Sequence, residues 1–157
     1  MGKKKKWFIK GLDSKSRYAQ ASRIVLDKKL RDIIKLINIY FQDDNADNLH
    51  QLRISIRRFR YVMEIFYDCT NSKLFDYIYV KAKQLQDLIG EGRDLDVLEI
   101  KVKGIEEDIK TEIPKYFYKK IDDDRIITTQ QIKQELIKFL DDKKVNKFLL
   151  KERKGAL

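Results

Sequence analysis

The sequence predicts an all-α protein, an antiparallel bundle of about six helices. Three observations carry this. Apolar residues recur at intervals of three and four through most of the chain, the period of a helix with one buried face. No segment sustains the two-residue alternation of a half-buried strand. One Pro and six Gly in 157 residues leave too little turn chemistry for a protein of many short strands.

Each element has its own signal. Ser14 or Ser16 can cap a long first helix reaching about Phe41, whose Ile24, Leu30, Ile33, Ile34, Ile37 and Phe41 recur at helical spacing. Gln42 to Asn48 is polar, with Asp44, Asn45 or Asp47 available as the next cap, and a second helix runs from there to about Tyr67. Asn71 and Ser72 break the pattern. A third helix carries Leu74, Ile78, Ala82, Leu85 and Leu88, and Gly90 and Gly92 are expected to end or kink it. Asp94 can then cap a fourth, with Leu95, Leu98 and Val102. Pro114 and Asp122 to Asp124 mark further breaks. Thr128 or Thr129 can start a last helical region holding Ile132, Leu136, Ile137, Phe139 and Leu140.

The length fits one domain with a real core, divided here into a basic arm at 1–13 and a helical domain at 14–157. No apolar run approaches the ~20 residues of a membrane span, and no signal-peptide core follows the basic start. One cysteine, Cys69, precludes an internal disulfide and fits a reducing, cytoplasmic compartment. A single histidine and a single cysteine also exclude a zinc site built from those residues alone.

The formal charge is +10, but residues 1–35 alone carry twelve Lys or Arg against three Asp, a net of +9. Residues 36–70 are at −1 and the remainder at +2. Lys3 to Lys6 read as a solvated basic arm that can attract a polyanion non-specifically.

The second helix carries the most information. On a helical projection with His50 at zero, Arg53, Arg57, Arg60 and Glu64 fall at about −60°, −20°, −80° and −40°. Leu52, Ile56, Phe59, Met63 and Phe66 cluster near 200°, a core face, and Ile54, Tyr61 and Ile65 fall at roughly 20° to 60° as a second apolar flank. The basic stripe is therefore expected to line a groove between two packed surfaces. Like charges at these spacings repel, and desolvation in a groove sharpens the cost unless anions arrive. Forked guanidiniums in a row suit phosphate oxygens. Spacing alone equally allows these arginines to pair with acids of neighbouring helices. Only Glu64 shares the arc, so no metal site is expected there.

These residues carry a resemblance. Leu49 to Arg60, reading LHQLRISIRRFR, resembles the hallmark helix of the CHAD family, the conserved histidine α-helical domain, with its pattern His-x-x-Arg-x-x-x-Arg/Lys-Arg-x-Arg. Lys83 to Val97, KQLQDLIGEGRDLDV, resembles the family's second hallmark, Lys-x-Leu-Gln-x-x-Leu-Gly-x-x-Arg-Asp-Leu-Asp-Val. The resemblance spans about residues 14–104, and two spaced motifs together are specific. It implies a helical fold of two similar four-helix halves and binding of inorganic polyphosphate, often alongside polyphosphate-processing enzymes. Carried over position by position, the implied contacts are His50, Arg53, Arg57, Arg60, Lys83 and Arg93. Arg58 matches the motif but lies off the stripe, and Arg23 matches a basic position of the first helix less closely. The chain departs from the family in having one copy of the paired motifs, which predicts a half-size domain that pairs as a homodimer.

Other segments offer weaker signals. Gly90-Glu91-Gly92 lacks the Walker lysine and a strand context, so it reads as a helix C-cap followed by an N-cap whose free N–H groups could help an anion. Asp94 and Asp96, two apart on a helix, read as capping and ion-pairing residues, the latter with Arg93 or a neighbouring arginine. Asp122 to Asp124 reads as a solvated turn. No nucleophile-elbow pattern supports hydrolysis. The sequence thus predicts a non-catalytic polyphosphate-binding module without cofactor or metal, located in the cytoplasm, at polyphosphate granules. Two alternatives stand beside it: binding of a DNA or RNA backbone, and an adaptor for a polyphosphate-processing enzyme.

Overall fold

A computed structural model describes Ile9, Leu12 and residues 17–70 and 72–154. The Lys3 to Lys6 arm, the Ser14 and Ser16 caps, Asn71 and the 13/14 boundary lie outside the described residues. Five long helices and one isolated turn follow in order: α1 (Tyr18–Gln42), α2 (Ala46–Ile65), the single turn α3 (Tyr67–Thr70), α4 (Lys73–Ile109), α5 (Lys115–Asp141) and α6 (Lys143–Lys154). Among the described residues there are no strands.

Antiparallel packing is visible in contacts that join helix ends. The Tyr18 hydroxyl, at the start of α1, donates to the Ile65 carbonyl at the end of α2 over 2.7 Å. Arg60, late in α2, meets Tyr79 and Gln86 of α4, whereas Ala46, at the start of α2, meets Arg93. The core is built from Leu26, Leu30, Ile33 and Ile37 of α1, Leu52, Ile56, Phe59 and Met63 of α2, Ile78, Ala82, Leu85 and Ile89 of α4, and Ile132, Leu136 and Phe139 of α5, all buried. Of the residues expected in these stripes, Ile24, Ile34, Phe41 and Leu88 are only partly buried and Ile137 is exposed, while Leu26 and Ile89 take part from outside the expected set. Val145 and Phe148 of α6 close it.

Caps set the boundaries where short polar side chains were available. Asn45 accepts from the Asn48 N–H at 2.8 Å and starts α2. Ser72 accepts from the Phe75 N–H at 3.2 Å and starts α4. Lys110, at φ 53°, ends α4 in the left-handed region, and Pro114 precedes the first turn of α5.

Two expected breaks are absent. Helix α4 is continuous for 37 residues, so Gly90 and Gly92 do not end it, and Asp94 caps no new helix. A glycine costs a helix interior about 1 kcal/mol against alanine, but both of these are buried, and at Gly92 the missing Cβ is what admits the neighbours. A Cβ at Gly92 would stand 3.0 Å from Ile132 Cδ1 of α5 and 3.2 Å from Leu49 Cδ2 of α2. The anion site expected from free N–H groups after Gly92 falls with the break, because those groups are inside a helix.

Helix α5 likewise runs unbroken through Asp122 to Asp124, and neither Thr128 nor Thr129 starts a helix. The acids are held by cations one turn away: Asp122 by Arg125 at 2.8 Å and Asp124 by Lys120 at 2.6 Å. Ile121 is buried beside them, outside the main core cluster.

Helix α4 is much longer than its partner α2. At 1.5 Å per residue it reaches about 55 Å against about 30 Å. Beyond Arg93, which lies opposite the first turn of α2, α4 continues as an overhang packed against the first half of α5.

A candidate polyanion-binding groove between α2 and α4

The stripe on α2 divides in the folded chain. Arg53 and Arg60 turn toward α4 and are partly buried, while Arg57 stands on the exposed ridge of the helix and His50 is half-buried near its start. The second apolar flank expected beside the stripe is covered only at Ile54, which is partly buried and lines a cleft against α1. Tyr61 is 53% and Ile65 65% exposed, so only one wall of the expected groove exists on that side. The wall that does exist is α4.

Helix α4 supplies that wall at a regular spacing. Tyr79, Lys83, Gln86, Gly90 and Arg93 recur every three or four residues, so they share the side of α4 that faces α2. Arg60 is held at several points: it donates to Gln86 Oε1 at 3.1 Å and to the Tyr79 hydroxyl at 2.9 Å, and its guanidinium lies 5.0 Å from the Tyr79 ring centre. The Tyr79 hydroxyl in turn donates to Glu64 Oε1 at 2.7 Å, and Glu64 approaches Arg60 at 3.7 Å. Arg60 is only 14% exposed in its side chain. It is a positioned cation with its head at the groove floor.

Arg53 is held differently. Its guanidinium packs over Gly90, where a Cβ would lie 3.6 Å from Nη2 and 3.7 Å from Nε. Its Nε is buried without a hydrogen-bond partner among the described residues, as is that of Arg60. Arg57 and Lys83, both exposed, have no ion pair among the described residues. A run of cations thus faces one seam with Glu64 as the acid at its edge.

Arg93 sits at the other end with a different occupation. It donates to the Ala46 carbonyl at 3.2 Å and to Asp96 at 2.9 Å. Asp96 also meets Arg125 Nε at 3.4 Å, and Arg125 reaches Glu99 and Asp122. Hydrogen bonds from Lys103 and then Arg125 hold the Glu99 carboxyl below its ordinary value despite burial. The expected pairing of Asp96 with Arg93 and a neighbouring arginine is what the structure contains, and it ties α2, α4 and α5 together.

Two candidate residues stand apart from the seam. Arg58 lies on the opposite flank of α2 and lines a cleft against α1 with Lys29 and Lys35. Arg23 precedes Lys29 by six positions, which turns it about 120° away around α1, so it joins neither the seam nor that cleft. Sequence reasoning missed Tyr79 and Gln86 as the residues that hold Arg60, and Gly90 as the floor beneath Arg53. The signal was present: one helical period carried through Gly90 places all three with Lys83 and Arg93.

The fold is a helical bundle with one seam lined by cations, of which Arg53, Arg57 and Lys83 have no ion pair among the described residues. The chain belongs to the CHAD family: the CHAD domain model matches residues 5–102, more than half of its length. Neither curated proteins nor solved structures gave a match. No described helix is long and apolar enough to cross a membrane, and among the described residues no three of His, Cys, Asp and Glu form a group able to hold a metal ion.

Proposed function

We propose that this chain binds inorganic polyphosphate along the α2–α4 seam and does so without chemical turnover. Family membership supports the ligand, since CHAD domains are linked to polyphosphate. The observation that carries the site is the state of its cations. Arg53 and Arg57 have no carboxylate partner among the described residues, Arg60 is fixed in place by Gln86 and Tyr79 with only a long 3.7 Å approach from the exposed Glu64, and Lys83 has no ion pair among the described residues. Cations that the protein leaves uncompensated favour an incoming anion, and guanidiniums held in a row can each engage phosphate oxygens. In this reading His50 borders the track, and Arg93 shapes its end from within an ion-pair network.

Titration with polyphosphates of defined length at several salt concentrations tests the proposal. Affinity rises with chain length and falls steeply with salt, as release of counterions from a linear polyanion requires. Binding that DNA or RNA displaces equally well on a charge basis would replace this reading with a general nucleic-acid-backbone function.

We also infer that two chains pair. One copy of the paired motifs supports this, as does the outward side of α5, where Tyr116, Ile126, Ile127 and Ile137 are exposed within an arc of about 100° opposite the buried Ile121 and Ile132. A monomer by light scattering at micromolar concentration, with and without polyphosphate, would overturn it. A bound polymer would also let the chain hold a polyphosphate-processing enzyme near its substrate, the adaptor role.

A further inference from the structure

We infer that the cleft between α1 and α2 is a second phosphate-binding subsite, reached by the same polyphosphate chain when it crosses the exposed ridge of α2. The inference rests on the polyphosphate reading above and extends it to residues outside the α2–α4 seam.

The seam itself is closed at one end. Past Arg60, the space between α2 and α4 opens into a pocket of about 390 Å³ whose charged residues are Glu64, Asp68 and Asp76. A polymer with about one negative charge per phosphate is repelled by three carboxylates, so continuing along the seam is unfavourable. The ridge of α2 offers the alternative. Arg57 and Arg58 are consecutive, both exposed, and neither has a hydrogen bond or ion pair among the described residues. Their Cα atoms are about 3.8 Å apart and their side chains point about 100° apart around the helix, one toward each side of the ridge. One phosphate chain can therefore touch both.

On the far side lies a built receptacle. The cleft has a volume of about 320 Å³ and is lined by Lys29 and Lys35 of α1 and Arg58 of α2, with Gln51 and Ser55 as neutral hydrogen-bonding groups. Its single carboxylate, Asp32, is already engaged by Lys28 at 3.2 Å. Lys29, Lys35 and Arg58 have no such partner among the described residues. A concave site with one sign of charge focuses the field and concentrates anions. A chain that occupies seam and cleft together gains through effective concentration, because its second engagement is intramolecular. A short phosphate oligomer, which reaches only one of them, does not.

The experiment compares the double variant Lys29→Gln/Lys35→Gln with a control carrying the same loss of charge elsewhere, Lys101→Gln/Lys119→Gln, both positions being exposed. Each full-length protein is titrated with tripolyphosphate and with long-chain polyphosphate. The expected result is a loss of affinity for the long chain of about tenfold or more in the cleft variant, a shallower salt dependence by about two contacts, unchanged tripolyphosphate binding, and a silent control. Equal losses in cleft variant and control would reduce the effect to net charge and overturn the inference. Equal losses for short and long ligands would make the cleft the primary site and overturn it as well. A cleft variant that binds both ligands normally, while Arg57→Ala is impaired, would refute the subsite and leave the seam standing. Failure of the unaltered protein to bind long-chain polyphosphate would overturn both proposals.

Discussion

The guanidinium of Arg53 lies directly on Gly90: a side chain added at Gly90 would place its Cβ 3.6 Å from Nη2 and 3.7 Å from Nε. That is ordinary van der Waals contact, and it differs from the crowding at Gly92, two residues on. The two glycines serve one helix for different reasons, and substitution separates them.

Gly90→Ala should raise stability by about 0.5–1 kcal/mol, the gain of alanine over glycine inside a helix, because the methyl group fits. Gly92→Ala should lower stability by about 1 kcal/mol, because Ile132 and Leu49, both buried, must yield to a contact of 3.0 Å or 3.2 Å and overpacking outweighs the propensity gain. Urea unfolding of the two variants should give midpoints on opposite sides of the unaltered protein.

Arg57→Ala should weaken polyphosphate binding roughly tenfold, the worth of one charge-assisted contact at about 1.4 kcal/mol. Stability should move by less than about 0.5 kcal/mol, because the side chain is exposed and bonded to nothing described. Titration beside thermal unfolding reads both quantities.

Arg60→Ala should show both effects together. Removing it strands the Gln86 carbonyl oxygen, takes one donor and a ring contact from Tyr79, whose hydroxyl keeps Glu64, and costs about 1–2 kcal/mol in stability. Arg60→Lys should retain charge but lose the fork that spans two partners, so it should recover little of that stability. Arg93→Ala should lean further toward stability than binding, since Arg93, 18% exposed in its side chain, joins the Ala46 carbonyl to Asp96.

Acidification should destabilise the chain through Asp142. Burial alone would raise this carboxyl, but hydrogen bonds from Tyr77 and from the Lys144 and Val145 N–H groups outweigh it and hold it below its ordinary value. A carboxyl lowered in the folded state stabilises at pH values above its unfolded pKa and loses that contribution as pH falls through the lowered folded value. Thermal midpoints should therefore hold between neutral pH and about pH 5 and decline below about pH 4. Asp142→Asn keeps a capping acceptor at the start of α6 and should flatten this acid decline.

The bundle was legible because its core is periodic. The stripes on α1, α2 and α5 ran through uninterrupted sequence, and Asn45, Ser72 and Pro114 stood where caps belong. The mistaken breaks had a common cause. Gly90, Gly92 and Asp122 to Asp124 are local helix-breaking signals overruled by neighbours distant in sequence: Ile132 and Leu49 packed on a glycine, Arg125 and Lys120 beside the acids. Helical phase placed Arg53, Arg57 and Arg60 on one side of α2 but could not reveal that Tyr61 and Ile65 stay uncovered, since an exposed isoleucine and a packed one are the same letter. It also could not foresee that Gln86 and Tyr79, from another helix, would hold Arg60.

The long reach of α4 also implies unequal resistance to local opening along one helix. From Tyr79 to Arg93 it is clasped by α2 and sits on the shared core, whereas past Val97 it leans on α5 and leaves Leu98, Ile100, Ile105 and Ile109 largely uncovered. Backbone amides of the first stretch should exchange with solvent deuterium only through global unfolding, while those of the second, with the facing turns of α5, should open together as a smaller cooperative unit at lower free energy. The α2–α4 seam should thus belong to the slow-exchanging part of the molecule, with the Arg93–Asp96–Arg125 network as its link to the overhang.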